Sequence, residues 1–358
     1  MLKDEMTPVE RMQAFTEGKP FDRIPFVLDL GETGCHFIGT TLSEYNRSAL
    51  LMAEVEITTY RMFGQDGIGA GPAYKGLAEA LGTKLKQPEN NISSVEEPAV
   101  KDWNDLEYLE PADPKKAGRL PLFLDALKIL KDKLGKEVPI GSCIGGPLSI
   151  AACVRGTDNL LRDLRKNPEK VHRLMQLATD TALLFFDEVY DLECGIDIAE
   201  PVASCTMISP AHFREFVKPY LVRYADHIRE KTGSGPMLHI CGDSTPIWKD
   251  MVETGAGILS LDNIVDLGQA KEQVGNDVCL MGNVDPVSVI GRGTREQIHD
   301  AVRHCLYQAG ENPKGFILAP GCQIPFGTAA KNIQHYADAA RTLGRYPLDK
   351  YKLKEKDA

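Results

Sequence analysis

The chain has no long hydrophobic run. Its longest apolar stretches, such as Ala182 to Phe186, fall far short of the ~18 to 20 residues that a bilayer-spanning helix needs, so no membrane partner is expected. Its first residues, Met1-Leu2-Lys3-Asp4-Glu5, carry no apolar core of a secretory signal, and a cytoplasmic location is the expectation. It also lacks a Lys/Arg-rich tract: 41 basic against 51 acidic residues leave a net charge of −10, which makes nucleic acid a poor partner. Nucleotide loops are missing too, because Gly67-Ile-Gly69-Ala-Gly71 does not have the G-x-G-x-x-G spacing and no G-x-x-x-x-G-K-[ST] occurs. Aromatics are few, at 7%, but a hydrophobic fraction of 43% and a charged fraction of 26% are ordinary globular usage and exclude a disordered or coiled-coil chain. Nine cysteines, an odd number, are scattered from Cys35 to Cys322; in a reducing compartment they read as free or metal-bound thiols.

What is present is a rhythm. Short β-branched and apolar runs, each followed by a helical pattern, recur at residues 24–30, 66–69, 138–143, 195–200, 237–241, 257–262, 278–282 and 315–319. Helix patterns lie between them at 122–134, 168–192, 210–231, 295–309 and 329–343, with start signals at Asn167-Pro168, Ser209-Pro210 and Thr294. Eight strands alternating with helices predict an α/β fold, a (β/α)8 TIM barrel of one domain over residues 1–358; a doubly wound open sheet is the runner-up. Residues 71–113 are long, polar and punctuated by Gly and Pro, and read as an excursion or lid between strands two and three. Residues 349–358 read as a solvated tail.

In such a barrel the chemistry sits where strands end. The polar strand-end residues are Asp29 and Glu32, Cys143 with Gly145-Gly146, Glu200, His239 and Cys241, Asp262, Asn283 and Asp285, and Cys322. In His239-Ile240-Cys241 the first and third side chains share one face of a strand, which makes a two-point chelate. Cys322, on the Gly321 turn after the last strand, offers a third soft ligand. Cys2His with one open position is a catalytic zinc set; the competing reading is a core histidine and two small buried thiols. Two thiolates and an imidazole cancel a Zn2+ dication, so such a site favours alkyl transfer to a bound thiol over water activation. Glu200 is either a displaceable fourth ligand or proton acceptor, or a helix cap or salt-bridge partner. Asp285 reads as an N-cap or a substrate contact. Gly145-Gly146-Pro147 forms a tight turn or leads into a helix whose free N–H groups hold an anion.

Arg11, Gly18-Lys-Pro-Phe-Asp22-Arg23-Ile-Pro25, Gly145-Gly146-Pro147-Leu148, Leu238-His239-Ile240-Cys241-Gly242, Gly282-Asn283-Val284-Asp285-Pro286 and Pro320-Gly321-Cys322 together resemble the uroporphyrinogen decarboxylase superfamily over nearly the whole chain. That superfamily contains decarboxylases and zinc-dependent corrinoid methyltransferases. The decarboxylases carry an arginine-rich segment after the first strand; here Leu30-Gly31-Glu32-Thr33-Gly34-Cys35-His36 stands there, without arginine. The resemblance to the methyltransferase branch implies that His239, Cys241 and Cys322 are zinc ligands. It implies a methyl group moving between a corrinoid (methylcobalamin), held on a small corrinoid-binding partner protein, and a zinc-activated thiol such as coenzyme M. Glu200 and Asp285 are then candidate catalytic residues, and Gly145, Gly146 and Asn283 candidate cofactor contacts. Alternatives are a methoxy or methylamine donor or a folate acceptor on the same fold, a decarboxylase-like lyase, or a non-catalytic binding protein.

Overall fold

The computed structural model describes residues 4–354. In chain order its strands are β1 (Ile68–Gly69), β2 (Lys84–Lys86), β3 (Ser94–Glu97), β4 (Ile140–Gly145), β5 (Gly195–Ala199), β6 (Met237–Ile240), β7 (Ile258–Leu261), β8 (Cys279–Val284) and β9 (Phe316–Pro320). Seven of them form one curled, all-parallel sheet in the order β1-β4-β5-β6-β7-β8-β9, while β2 and β3 pair as a separate antiparallel hairpin. The expected α/β barrel architecture is therefore present. Its first strand is short: only residues around Phe26 run extended, bridged in parallel to Leu318. The same segment closes the gap on its other side, because the Asp66 amide donates to Phe26 O at 2.8 Å.

That seam has an electrostatic lock. Asp66 accepts the Phe26 amide (2.8 Å) and pairs with Arg11 and Arg23, each at 2.6 Å. Arg11 and Arg23 are in turn held by Asp22 and Asp4. The sequence motif Asp22-Arg23-Ile24-Pro25 and the distant Arg11 thus serve the fold by joining the two ends of the sheet.

Alternation along the parallel strands separates two faces. Ile140, Ser142 and Ile144 of β4, Ile196 and Ile198 of β5, and Leu238 and Ile240 of β6 are buried under helices. Their neighbours Cys143, Asp197, Ala199, Met237 and His239 point inward and keep accessible surface. Helices Leu120–Leu134, Pro168–Asp191, Arg295–Ala309 and Ala330–Leu343 lie where the apolar periodicity predicts them. Ser209 and Thr294 cap as expected, through His212 N and Gln297 N.

Three expectations are corrected. The pattern over 210–231 is not one helix: a short turn at Pro210–His212 widens over Phe213–Val217 before Lys218–Thr232 resumes, because Pro219 has no N–H to give and crowds the preceding turn. Residues 71–113 are not a loose lid: they contain the helix Ala73–Ala80, the β2–β3 hairpin and a helical turn at Trp103–Tyr108, and they bury Leu77, Ala78, Val100 and Trp103. The tail reading for 349–358 fails in its first half, since Asp349 caps the short helix Lys350–Leu353, whose Leu353 is buried; residues 355–358 lie outside the described part.

Candidate metal centre

His239 and Cys241 leave β6 on its inner face, and the loop after β9 returns Cys322 to the same place. Gly242 follows with φ +73°, a conformation that suits glycine and turns the chain sharply behind Cys241. The His239 Nε2 atom lies 3.1 Å from Cys241 Sγ, and the two sulfurs are 3.7 Å apart. All three ligand atoms fall within 4.8 Å of one another, and no other group of three or more His, Cys, Asp or Glu ligand atoms gathers in this way among the described residues. Two thiolates at ~2.3 Å from a tetrahedral zinc are about 3.8 Å apart, so the sulfur pair already spans one edge of that tetrahedron. The donor set is soft, compact and three-membered, which fits zinc with a position to spare.

The surroundings hold the trio in shape. The other imidazole nitrogen, Nδ1, is 3.1 Å from Ser260 Oγ, which fixes the ring and leaves Nε2 turned to the sulfurs. Asp262 accepts the Gly242 amide at 2.7 Å and the Ile264 amide at 3.1 Å, tying the turn behind Cys241 to the loop after β7. Hydrogen bonds from Cys241 and His239 pull the Cys322 thiol well below its ordinary range. Cys241 is pushed up in consequence, chiefly by its bond to Cys322. Burial works against charge on His239, but Cys322 outweighs it and raises the imidazole.

The other anticipated residues are placed elsewhere. Glu200 is fully buried and its carboxylate faces the start of helix Pro147–Arg155, accepting the amides of Leu148 (2.9 Å) and Ser149 (2.8 Å) and the Ser149 hydroxyl. Burial lifts Glu200 to about 7 in spite of these three donors. The helix N-terminus behind Gly145-Gly146-Pro147 is therefore occupied by the chain's own carboxyl group. The two glycines are needed for packing: a Cβ on Gly146 would stand 2.2 Å from Glu200 Oε2, and one on Gly145 would stand 2.3 Å from Tyr74 Cα. Asn283 donates to the carbonyls of Asp262 (2.9 Å) and Val265 (2.8 Å), and Asp285 accepts the Val287 and Ser288 amides as an N-cap. None of these five joins the metal-ligating trio.

Sequence reasoning gave Asp29 a place but no task, and it passed over Asp197 and Tyr74. Burial and the Cys322 charge raise the Asp29 carboxyl to about 6; burial and Asp29 do the same to Asp197. The signal for Asp197 was legible: an acid between Ile196 and Ile198 in a buried parallel strand faces the barrel interior. Tyr74 stands at the head of the excursion, its phenol within electrostatic reach of Cys241 and Cys322, and nothing in the local sequence marks it.

The profile of the uroporphyrinogen decarboxylase (URO-D) family matches residues 7–343. The chain belongs to this family. Within it, the chain is similar to the methylated-thiol–coenzyme M methyltransferase of Methanosarcina mazei, 26% identical over 355 residues and covering 98% of this chain and 92% of that protein. It is similar also to the methylcobamide:CoM methyltransferase MtaA of Methanosarcina barkeri, 29% identical over 344 residues, with 92% and 96% covered. A solved methyltransferase from Methanosarcina mazei superposes with a TM-score of 0.84 at 27% identity, over 94% of this chain and 98% of that one. The methyltransferase branch is thus supported, and with it an enzyme.

Proposed function

We propose that this protein moves a methyl group between a corrinoid on a partner protein and a thiol held at a zinc ion by His239, Cys241 and Cys322. The observation that carries the reading is the trio itself, with its 3.7 Å sulfur pair at the inner end of β6. When bound, zinc would supply a deprotonated and still nucleophilic thiol at neutral pH. The chain does the rest. Ser260 orients the imidazole and Asp262 fixes the Cys241 turn, and the corrinoid partner would dock at the barrel mouth, where the ligand-bearing strands end. Glu200, Gly145 and Gly146 shape the mouth through the Pro147–Arg155 helix, and Asn283 and Asp285 brace the loops beside it.

Decarboxylation of a polycarboxylated tetrapyrrole receives no help from this site. The helical turn Gly31–Phe37 after the first strand holds Glu32 and His36 but no arginine, and His36 spends both nitrogens near the carbonyls of Thr33 and Thr328. Substrate carboxylates would stay unpaired there. No helix among the described residues is long and apolar enough to cross a membrane.

The test is metal content by elemental analysis together with thiol-dependent loss of the methylcobalamin spectrum. One zinc per chain and thiol-dependent turnover are expected, and Cys241→Ala and Cys322→Ala should each lose both while circular dichroism stays that of the folded barrel. Full zinc and full rate in either variant would overturn the assignment.

A further inference from the structure

A cleft of about 390 Å³ lies between the loops that follow β7 and β8, and methyl transfer at the trio gives it no task. Three pieces of chain build it. Helix Arg295–Ala309 contributes Ala301, His304, Cys305 and Gln308, which helical spacing places on one face. The loop after β7 contributes residues 263–266. The end of β8 and the turn Pro286–Gly291 contribute residues 283–285 and Val289. That turn is wound wider than an α-helix, and the Asn332 side chain holds it by donating to Ile290 O at 2.9 Å.

The chemistry changes from floor to rim. Val265, Val284 and Cys305 are buried and make the floor apolar, and Ile264, 62% exposed, adds an apolar lip. Asp266 is exposed and Asp285 half-buried above that floor. Both carboxylates are already set in place by neutral donors. Asp266 accepts the Gln269 amide at 2.7 Å and the Gln308 side chain at 3.0 Å, and Asp285 accepts the Val287 and Ser288 amides, each at 2.8 Å. No lysine or arginine lines the cleft, and His304 is its one group able to carry positive charge. An apolar floor beneath two fixed negative charges suits a molecule with an alkyl stem and a cationic head, whereas an anion is repelled and a neutral alcohol gains only the floor.

We propose that this cleft is a binding site for a small organic cation, an alkylammonium or alkylguanidinium, whose stem lies on Val265, Val284 and Cys305 and whose head is received by Asp266 and Asp285. None of its lining residues belongs to the metal-ligating trio, so the site is separate from the metal centre. The test titrates the full chain with n-butylamine, n-butanol and butyrate near neutral pH, where the amine is a cation, with binding read by ligand-observed NMR. Salt at about 0.15 M screens the long-range pull of the acidic chain on any cation. The amine should bind about tenfold more tightly than the alcohol, as two partly exposed charge pairs allow, and butyrate should not bind. Asp266→Asn and Asp285→Asn keep a capping oxygen, and each should weaken the amine severalfold while leaving the alcohol unmoved. Ala301→Leu fills the cleft from a helix position that tolerates leucine and should abolish binding of both, with circular dichroism confirming that each variant is folded. An amine that binds no better than the alcohol overturns the proposal. So does amine binding that survives all three substitutions, the result expected if the amine ligates a metal at the trio instead.

Discussion

Replacing Asp66 with asparagine removes one charge from a buried box in which the guanidiniums of Arg11, Arg23 and Arg341 face the carboxylates of Asp4, Asp22 and Asp66. The Arg11 and Arg23 side chains are 0% and 2% exposed, so neither can turn to water. After the substitution Arg11 keeps Asp22 through bonds of 2.6 and 2.7 Å, and Arg23 keeps Asp4 through two of 2.9 Å. What is lost is the shared counter-charge and one of its oxygens, so the new amide must present N–H groups to an arginine or to the Phe26 amide. Breaking a buried pair in this way costs about 3–5 kcal/mol, a large part of the ~5–15 kcal/mol that keeps a protein folded. With an unfolding slope near ~3 kcal/mol per molar urea, the midpoint should fall by about 1 M or more. Fluorescence of the buried Trp248 and far-ultraviolet circular dichroism should report the same transition. Asp66 shares no hydrogen bond with His239, Cys241 or Cys322, so the folded variant should keep its zinc. A midpoint shift below ~0.3 M at unchanged slope would show that the seam does not depend on this charge.

Gly146→Ala should cost about 1–3 kcal/mol by thermal unfolding, because its Cβ would fall 2.2 Å from Glu200 Oε2 and displace the carboxylate from its helix. Gly195→Ala is the control: its nearest new neighbour, Ile140 O, is 3.8 Å away, and a comparable loss there would undermine the argument. Stability should rise as pH is lowered from about 7 to 5. Asp197, Glu56 and Glu200, raised to about 6, 7 and 7, contribute stability that is present below the unfolded carboxylate range and is lost as pH climbs through those values. The trend should reverse below about pH 4, since Asp22, held at about 2, has a folded pKa below its unfolded one and loses its contribution as pH falls through that window. Urea midpoints across pH 3 to 8 measure both slopes; a monotonic profile would contradict the assignment.

The barrel was legible because its inner strands are dense in β-branched and apolar residues, and the long helices because their apolar stripes repeat cleanly over ten residues or more. The metal ligands were legible for a related reason: a strand places His239 and Cys241 on one face by arithmetic alone. Residues whose role is set by a distant partner were not. Glu200 finds its helix across a gap of 52 positions to Leu148, and no local pattern announces that its carboxyl group caps that helix. The first strand was overdrawn for the opposite reason, since residues 24–30 have strand composition but pair only around Phe26, the remainder turning into Gly31–Phe37. Pro219 hid inside a helical stripe whose periodicity continued across it.

The loops that carry the ligands are laced to each other. Gly242 hangs from Asp262, the Asn283 amide grips the carbonyls of Asp262 and Val265, and the Gly321 amide beside Cys322 donates to Val284. One half of the barrel rim is thereby a single braced arc from β6 to β9. The other half, from the first strand to β5, bears Asp29, Tyr74, Cys143 and Asp197, and it meets that arc at its ends, where the Ile324 amide donates to Asp29 O and the Glu200 amide to His239 O. Substitutions of Cys143 or Asp197, which face the interior from β4 and β5, would change what lines the barrel while the three ligands and the bonds that brace them stay in place, so divergence between members of such a lineage has a ready division of labour: an arc that preserves chemistry facing strands that are free to change their clientele.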